Sequence, residues 1–328
     1  MTPLERALRE QIHRDGAIPV EAYMAACNDH YYATRDPFGV AGDFTTAPEI
    51  SQMYGEMIGA ALADVWDRAG RPEGVRYAEL GPGRGTLAVD ALRVMANAGC
   101  VPARIELVET SPALRSAQAE RLPTALVHDS IEGLANGDDP LLLVASEFFD
   151  ALPVCQTVDG IERRVKVAAN GLAFDRHGTI IETSPARNEA IGAVAMLLTK
   201  GGAALIIDYG YKQPGATGDT LQAVRAHRFA SPLDSPGEQD LTAHVDFAAL
   251  AETARMAGAT VGGPVSQGSW LETLGMSARA SALAARNPDQ GGAVAAARRR
   301  LCDEADMGRL FKVMGLAAPG WPMIAGLP

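Results

Sequence analysis

Apolar residues recur at helical spacing from Ser51 to Ala69, where Met53, Met57, Ala60, Ala61 and Val65 define one helix. Two helices are predicted before it. The first has Thr2 as cap, Pro3 at the first helical position and Glu5 completing a capping box, and Gly16 stops it. The second begins near Pro19 and carries Val20, Tyr23 and Met24 inward. Between it and Ser51 lies YYATRDPFGVAGDFTTAPEIS. A loop of about twenty residues inside a compact domain is usually functional or disordered. Its aromatic residues Tyr31, Tyr32, Phe38 and Phe44 argue against disorder.

Further along, short apolar runs alternate with helical stretches. VRYAEL (75–80), RIELVE (104–109), TALVH (124–128) and LLLVASE (141–147) read as strands, with helices from about Thr86 to Ala98 and from Ser111-Pro112 through Arg121. Runs buried on both faces and separated by helices predict an α/β fold with a parallel sheet. Residues 154–183 break the rhythm: VCQTV, RRVKV and GLAFD are short β-type pieces joined by Asp159-Gly160 and Asn170-Gly171. Those turn dipeptides predict an antiparallel β insertion. The α/β rhythm resumes with helix 187–199, the Gly201-Gly202 break and strand AALIIDYG (203–210). Asp246 caps a helix ending at Gly258, residues 277–306 are helical with a break near Asn287-Pro288, and FKVMGL (311–316) is a last strand. The expected organisation is an N-terminal helical extension with its loop (1–70), a core (71–153 and 184–265), the β insertion (154–183) and a C-terminal helical segment with the last strand (266–328).

Composition narrows the class. Of 328 residues, 47% are hydrophobic and 21% charged, which excludes a wholly disordered chain. The longest uninterrupted apolar runs, Ala193–Leu198 and Ala203–Ile207, fall far short of the ~18 residues that membrane insertion needs. A net charge of −11 argues against a nucleic-acid partner. The triplet Arg298–Arg300 is followed at once by Asp303, Glu304 and Asp306, so it reads as a solvated helix face. Cys27, Cys100, Cys155 and Cys302 are widely spaced, and the six histidines form no ligand pattern, so reduced thiols and no metal site are expected. The N-terminus mixes both signs of charge and has no apolar core. It therefore does not read as a signal peptide, and the expected location is cytoplasmic.

The chemistry concentrates in Glu79-Leu80-Gly81-Pro82-Gly83-Arg84-Gly85, at the junction of a strand and its helix. Glycines there let the backbone turn sharply and approach a ligand, facing it with helix N–H groups. Gly83-x-Gly85-x-x-Ala88 formally satisfies a dinucleotide pattern, with Glu109 near the distance of a ribose-binding acid. An acid two positions before three alternate glycines instead resembles motif I of class I S-adenosylmethionine-dependent methyltransferases. That likeness implies that Glu79, Gly81, Pro82, Gly83 and Gly85 cradle the cofactor and that Glu109, followed by Thr110, binds the ribose. It also places Asp129 and Ser130 near the adenine.

Longer blocks carry a more specific likeness. Gly42–Ser51 (GDFTTAPEIS), Glu79–Gly85, Val108–Pro112 (VETSP), Glu147–Pro153 (EFFDALP) and Gly237–Asp246 (GEQDLTAHVD) are similar, in order, to those of the MidA family of methyltransferases. The resemblance implies a Rossmann-like core with extra N-terminal helices, S-adenosyl-L-methionine as cofactor and methylation of protein arginine. It also implies a protein partner, the 49-kDa-type quinone-pocket subunit of respiratory complex I, and hence a part in complex I assembly. Where the family usually has Asn before Glu-x-Phe-Asp, this chain has the shorter Ser146.

Roles follow from position. A guanidinium is planar, permanently charged and matched to carboxylates, so Glu147 and Asp150 at the end of the fourth strand are expected to orient the acceptor, with Glu147 also contacting cofactor. Asp43, Thr45 and Thr46 are expected to cover the methionine tail. Asp208, ending the fifth strand, is expected to bind the substrate cation, and His244 to line the pocket. Trp270 and Trp321, with Met53, Met57 and Met256, read as packing residues. Two rivals remain open at this level: a methyltransferase of a small-molecule acceptor, and a non-catalytic assembly module that binds cofactor.

Overall fold

The computed structural model describes residues 1–34, 46–213, 218–225 and 228–328. Seven strands make the central sheet: β1 (Arg76–Leu80), β2 (Arg104–Val108), β3 (Leu126–His128), β4 (Leu141–Ser146), β5 (Gly202–Tyr211), β6 (Thr260–Ser266) and β7 (Phe311–Ala317). Their order is β6-β7-β5-β4-β1-β2-β3. β1 to β5 pair in parallel, while β7 runs antiparallel between β5 and β6. Val245–Asp246 adds a short parallel pairing at the end of β5. All five residues of β1 and the first five of β4 are buried, as expected of parallel strands covered by helices on both faces.

On one face pack α3 (Gln52–Arg68) and α4 (Thr86–Asn97), preceded in the chain by α1 (Pro3–Asp15) and α2 (Val20–Thr34). Small residues set the approach of α3 to α4: a Cβ on Gly59 would lie 2.4 Å from the Ala91 carbonyl oxygen. α5 (Pro112–Arg121) follows β2, and the opposite face is covered by α6 (Pro185–Leu197) and α7 (Phe247–Met256). Asp246 caps α7 as the sequence predicts, accepting the N–H groups of Ala248 and Ala249 at 3.0 Å.

The β insertion is built of antiparallel strands, as its turn dipeptides predict. Its strands divide between two three-stranded antiparallel sheets, one of which recruits Ile18–Pro19 from before α2 to pair with Arg164–Val165. A third small sheet joins Gln222–Arg225, Arg228–Ala230 and Asp240–Thr242. Leu8, Ile12, Tyr23, Val165 and Leu241 form a separate apolar cluster there, which seats the N-terminal helices on these sheets. Trp270 is fully buried, whereas Met256 is not a core residue: it ends α7 and is 83% exposed.

Candidate active site

Strand order reverses between β1 and β4, the place where open α/β sheets bind ligands beyond their carboxyl ends. A cavity of about 1030 Å³ opens there. One half is built on the ends of β1 and β2. Gly81, Gly83 and Gly85 have φ of 61°, 54° and 79°, so the loop uses a backbone that side chains resist. The Gly85 N–H donates to the Pro82 carbonyl at 2.8 Å, and Gln118 donates to the Gly83 carbonyl at 2.6 Å. Gly81, Pro82 and Gly83 line the cavity, whereas Gly85 stands behind them as the cap of α4.

Two acids face this half. The Glu79 carboxylate accepts from the Tyr77 hydroxyl at 2.7 Å, and burial pushes its pKa up to about 8. Glu109 accepts the Ser111 N–H at 2.8 Å, and burial raises its carboxyl as well. Arg115 ties the Glu109 carbonyl to the Asp129 carboxylate, drawing the ends of β2 and β3 together. Thr110, Asp129 and Ser130 line the cavity beside them. Glu49, within the Gly42–Ser51 block but given no role there, and Thr86 also line it and bond at 2.6 Å. Thr46 lines it too, while Asp43 and Thr45 lie outside the described residues.

The other half lies beyond β4. Glu147 has φ of 54°, donates its N–H to the Ile207 carbonyl and accepts the Ala47 N–H at 2.8 Å. Burial pushes its pKa up to about 8, with Asp150 and Asp240 adding to the rise. Asp150 is 94% buried on its 6% exposure, and its Oδ1 has no hydrogen-bond partner among the described residues. Burial raises its carboxyl above the ordinary range, against the pull of the nearby Tyr209 hydroxyl. Asp240 accepts from the Tyr32 hydroxyl at 2.7 Å, and both residues line the cavity. His244 lines it with its ring edge-on to Tyr209, and burial lowers its pKa. Ser146 shares a 2.9 Å hydrogen bond with the Tyr54 hydroxyl, which supplies the polar contact that the shorter side chain needs.

Asp208 departs from its expected place. It is fully buried and outside the cavity wall, with its oxygens taken by the N–H groups of Phe149, Asp150 and Tyr209. Its strand does end at the site, but the loop carrying Asp150 folds over it. The sequence reading also missed Arg187. This buried guanidinium donates to the carbonyls of Phe149, Asp150, Ala243 and His244 at 2.7–3.0 Å. The Phe149-Asp150 segment is thus held by the Asp208 carboxyl group on its N–H groups and by a cation on its carbonyls.

Known proteins resemble this chain in sequence and in fold. Residues 57–170 and 157–265 match the model of a family described as "putative S-adenosyl-L-methionine-dependent methyltransferase". A Drosophila melanogaster protein named as a mitochondrial protein arginine methyltransferase NDUFAF7 homolog is 34% identical, covering 95% of this chain and 84% of its own. The Homo sapiens NDUFAF7 protein arginine methyltransferase is 32% identical over 86% of this chain and 76% of its own. A Burkholderia thailandensis structure bound to S-adenosyl-homocysteine superposes with a TM-score of 0.80 at 26% identity, covering 96% of this chain and 91% of that one. Both named relatives are mitochondrial proteins, which corrects the cytoplasmic expectation.

Proposed function

The chain belongs to this family of S-adenosylmethionine-dependent methyltransferases, and from that premise we propose that it methylates arginine in a protein partner. The cofactor, when bound, supplies a methyl group on a sulfonium sulfur. The glycine loop, Glu79 and Glu109 fit such a group. The loop offers close backbone approach and a helix N-terminus, Glu109 offers carboxylate oxygens beside the end of β2, and Glu79 is a buried acid with no cation paired to it among the described residues. A dinucleotide's pyrophosphate would instead meet the buried Glu79 acid beside the glycine loop, which disfavours the NAD(P) alternative.

The observation that carries the arginine reading is the trio Glu147, Asp150 and Asp240, three acids lining one cavity, with Asp150 Oδ1 unpartnered among the described residues. A carboxyl oxygen is costly to bury unpaired even with the Arg187 guanidinium nearby. A guanidinium answers it with planar, bidentate donors. In this reading Glu147 and Asp150 accept from the acceptor's N–H groups and fix one nitrogen toward the cofactor, so that orientation supplies the main rate gain. His244 and Tyr209 close the wall beside Asp150. Thr46 closes the cofactor side, and Asp129 and Ser130 sit at the adenine end.

On the family resemblance we extend the proposal to a subunit of respiratory complex I, of the 49-kDa quinone-pocket type. The test is transfer of labelled methyl from S-adenosylmethionine to that purified subunit, followed by mass spectrometry. Label on an arginine that disappears on Arg→Lys substitution supports the reading. Label that goes to a small-molecule acceptor and to no arginine replaces it.

A further inference from the structure

Eleven large apolar side chains are substantially exposed among the described residues, which is ordinary for a protein surface. Two differ: Phe229, 80% exposed, and Leu310, 45% exposed, also line the cavity, which places them at its rim. Neither stands alone. Phe229 lies directly across its sheet from Val224, another cavity residue, in Arg228–Ala230, the edge strand of that sheet. Leu310 precedes Phe311, which packs edge-on against Tyr209 at 5.4 Å, and Tyr209 neighbours Asp150. Apolar surface therefore runs from the rim inward to the carboxylates.

We propose that Phe229 and Leu310 form an apolar lip that docks the residues flanking the acceptor arginine, so that the enzyme selects arginine set among apolar residues in an extended segment of its partner. This deepens the arginine reading and rests on it. The occupant follows from the gradient along the wall: a wet apolar rim leads to buried acids. A free arginine or a purely polar segment would leave the rim unused. An arginine beside apolar side chains covers the rim while its guanidinium reaches Glu147, Asp150 and Asp240. The edge strand suits an extended chain, since its outer side has no neighbouring strand among the described residues.

The test uses the full chain with S-adenosylhomocysteine present and fluorescent twelve-residue peptides read by anisotropy. One peptide has arginine between leucines, one has arginine between serines, and one has norleucine between leucines. The expected result is binding of the first about tenfold tighter than the second, a preference abolished by Phe229→Ser with Leu310→Ser. Calorimetric titration with S-adenosylhomocysteine should give the same affinity for the variant, which verifies its fold. Equal binding of the two arginine peptides, a preference that survives in the variant, or no binding of any peptide overturns the lip. A leucine preference that is lost in the variant, together with equal affinity for the norleucine peptide, keeps the lip and removes the arginine reading instead.

Discussion

The two halves of the cavity are assembled by different means. The cofactor half is mostly local: Gly85 bonds to Pro82, Glu109 takes the Ser111 N–H, and Tyr77 reaches Glu79 two residues on. The acceptor half is stitched from remote segments. Tyr32 meets Asp240 across 208 positions, Ala47 meets Glu147 across 100, and Arg187 joins two loops 38 and 56 residues away from it in opposite directions. Local turns follow from glycine stereochemistry and strand ends. The acceptor wall exists only while the surrounding packing holds. Damage should therefore stay confined in the first half and spread in the second.

The largest expected effect is that of Arg187→Met. It leaves four carbonyls without their charged donor, and each buried polar group left unsatisfied costs ~1–3 kcal/mol. Urea unfolding should show that loss, with methyl transfer falling alongside. A fully stable variant would mean that the two loops hold themselves. Next comes Asp150→Asn, which keeps the shape and removes the charge. Turnover should fall roughly 100-fold with S-adenosylhomocysteine affinity unchanged, because the residue is placed on the acceptor side. An equal drop in cofactor affinity would erase the division between the halves.

Glu109→Ala should act the other way. Loss of charged hydrogen bonds worth ~1.5–3 kcal/mol predicts a weakening of S-adenosylhomocysteine binding by about 10- to 100-fold, with the urea midpoint little moved. Calorimetry checks both parts, and a large stability loss would show that the cofactor half is not local after all.

A fourth effect is on pH dependence. Glu79 sits near 8 in the folded chain against an ordinary value of 4.5. The folded state therefore holds a proton that the unfolded state has released between those values. Its contribution to stability is present below 4.5, declines as pH rises toward 8 and then levels off. Urea midpoints of the ligand-free protein should fall over that window, and the slope should shrink in Glu79→Gln. An identical slope in both proteins would assign the effect to other groups.

Much of the frame was legible because it obeys local rules. Strand-end glycines at positions 81, 83 and 85 take the left-handed backbone that their spacing suggests, and Asp246 caps its helix with two hydrogen bonds. Asp208 shows where that logic stops. A strand-end acid faces a cavity or turns to backbone amides according to how the next loop folds, and here the amides of Phe149 and Asp150 take it. Tyr32 and Arg187 carry no motif at all, since nothing near them in the chain signals that they meet Asp240 or the carbonyls of two loops. Ile18–Pro19 joining the insertion and Met256 turning outward are of the same kind.

The sequence by itself determined the alternation of strands and helices, the glycine turn and the acids at the ends of β1, β2 and β4, because residue periodicity and backbone sterics act over a few positions. Only the tertiary structure decided which acids share one cavity wall, which is spent on backbone amides and which apolar side chains stay wet at the rim. Burial and hydrogen-bond partners decide those outcomes, and here they come from segments as much as 208 residues apart.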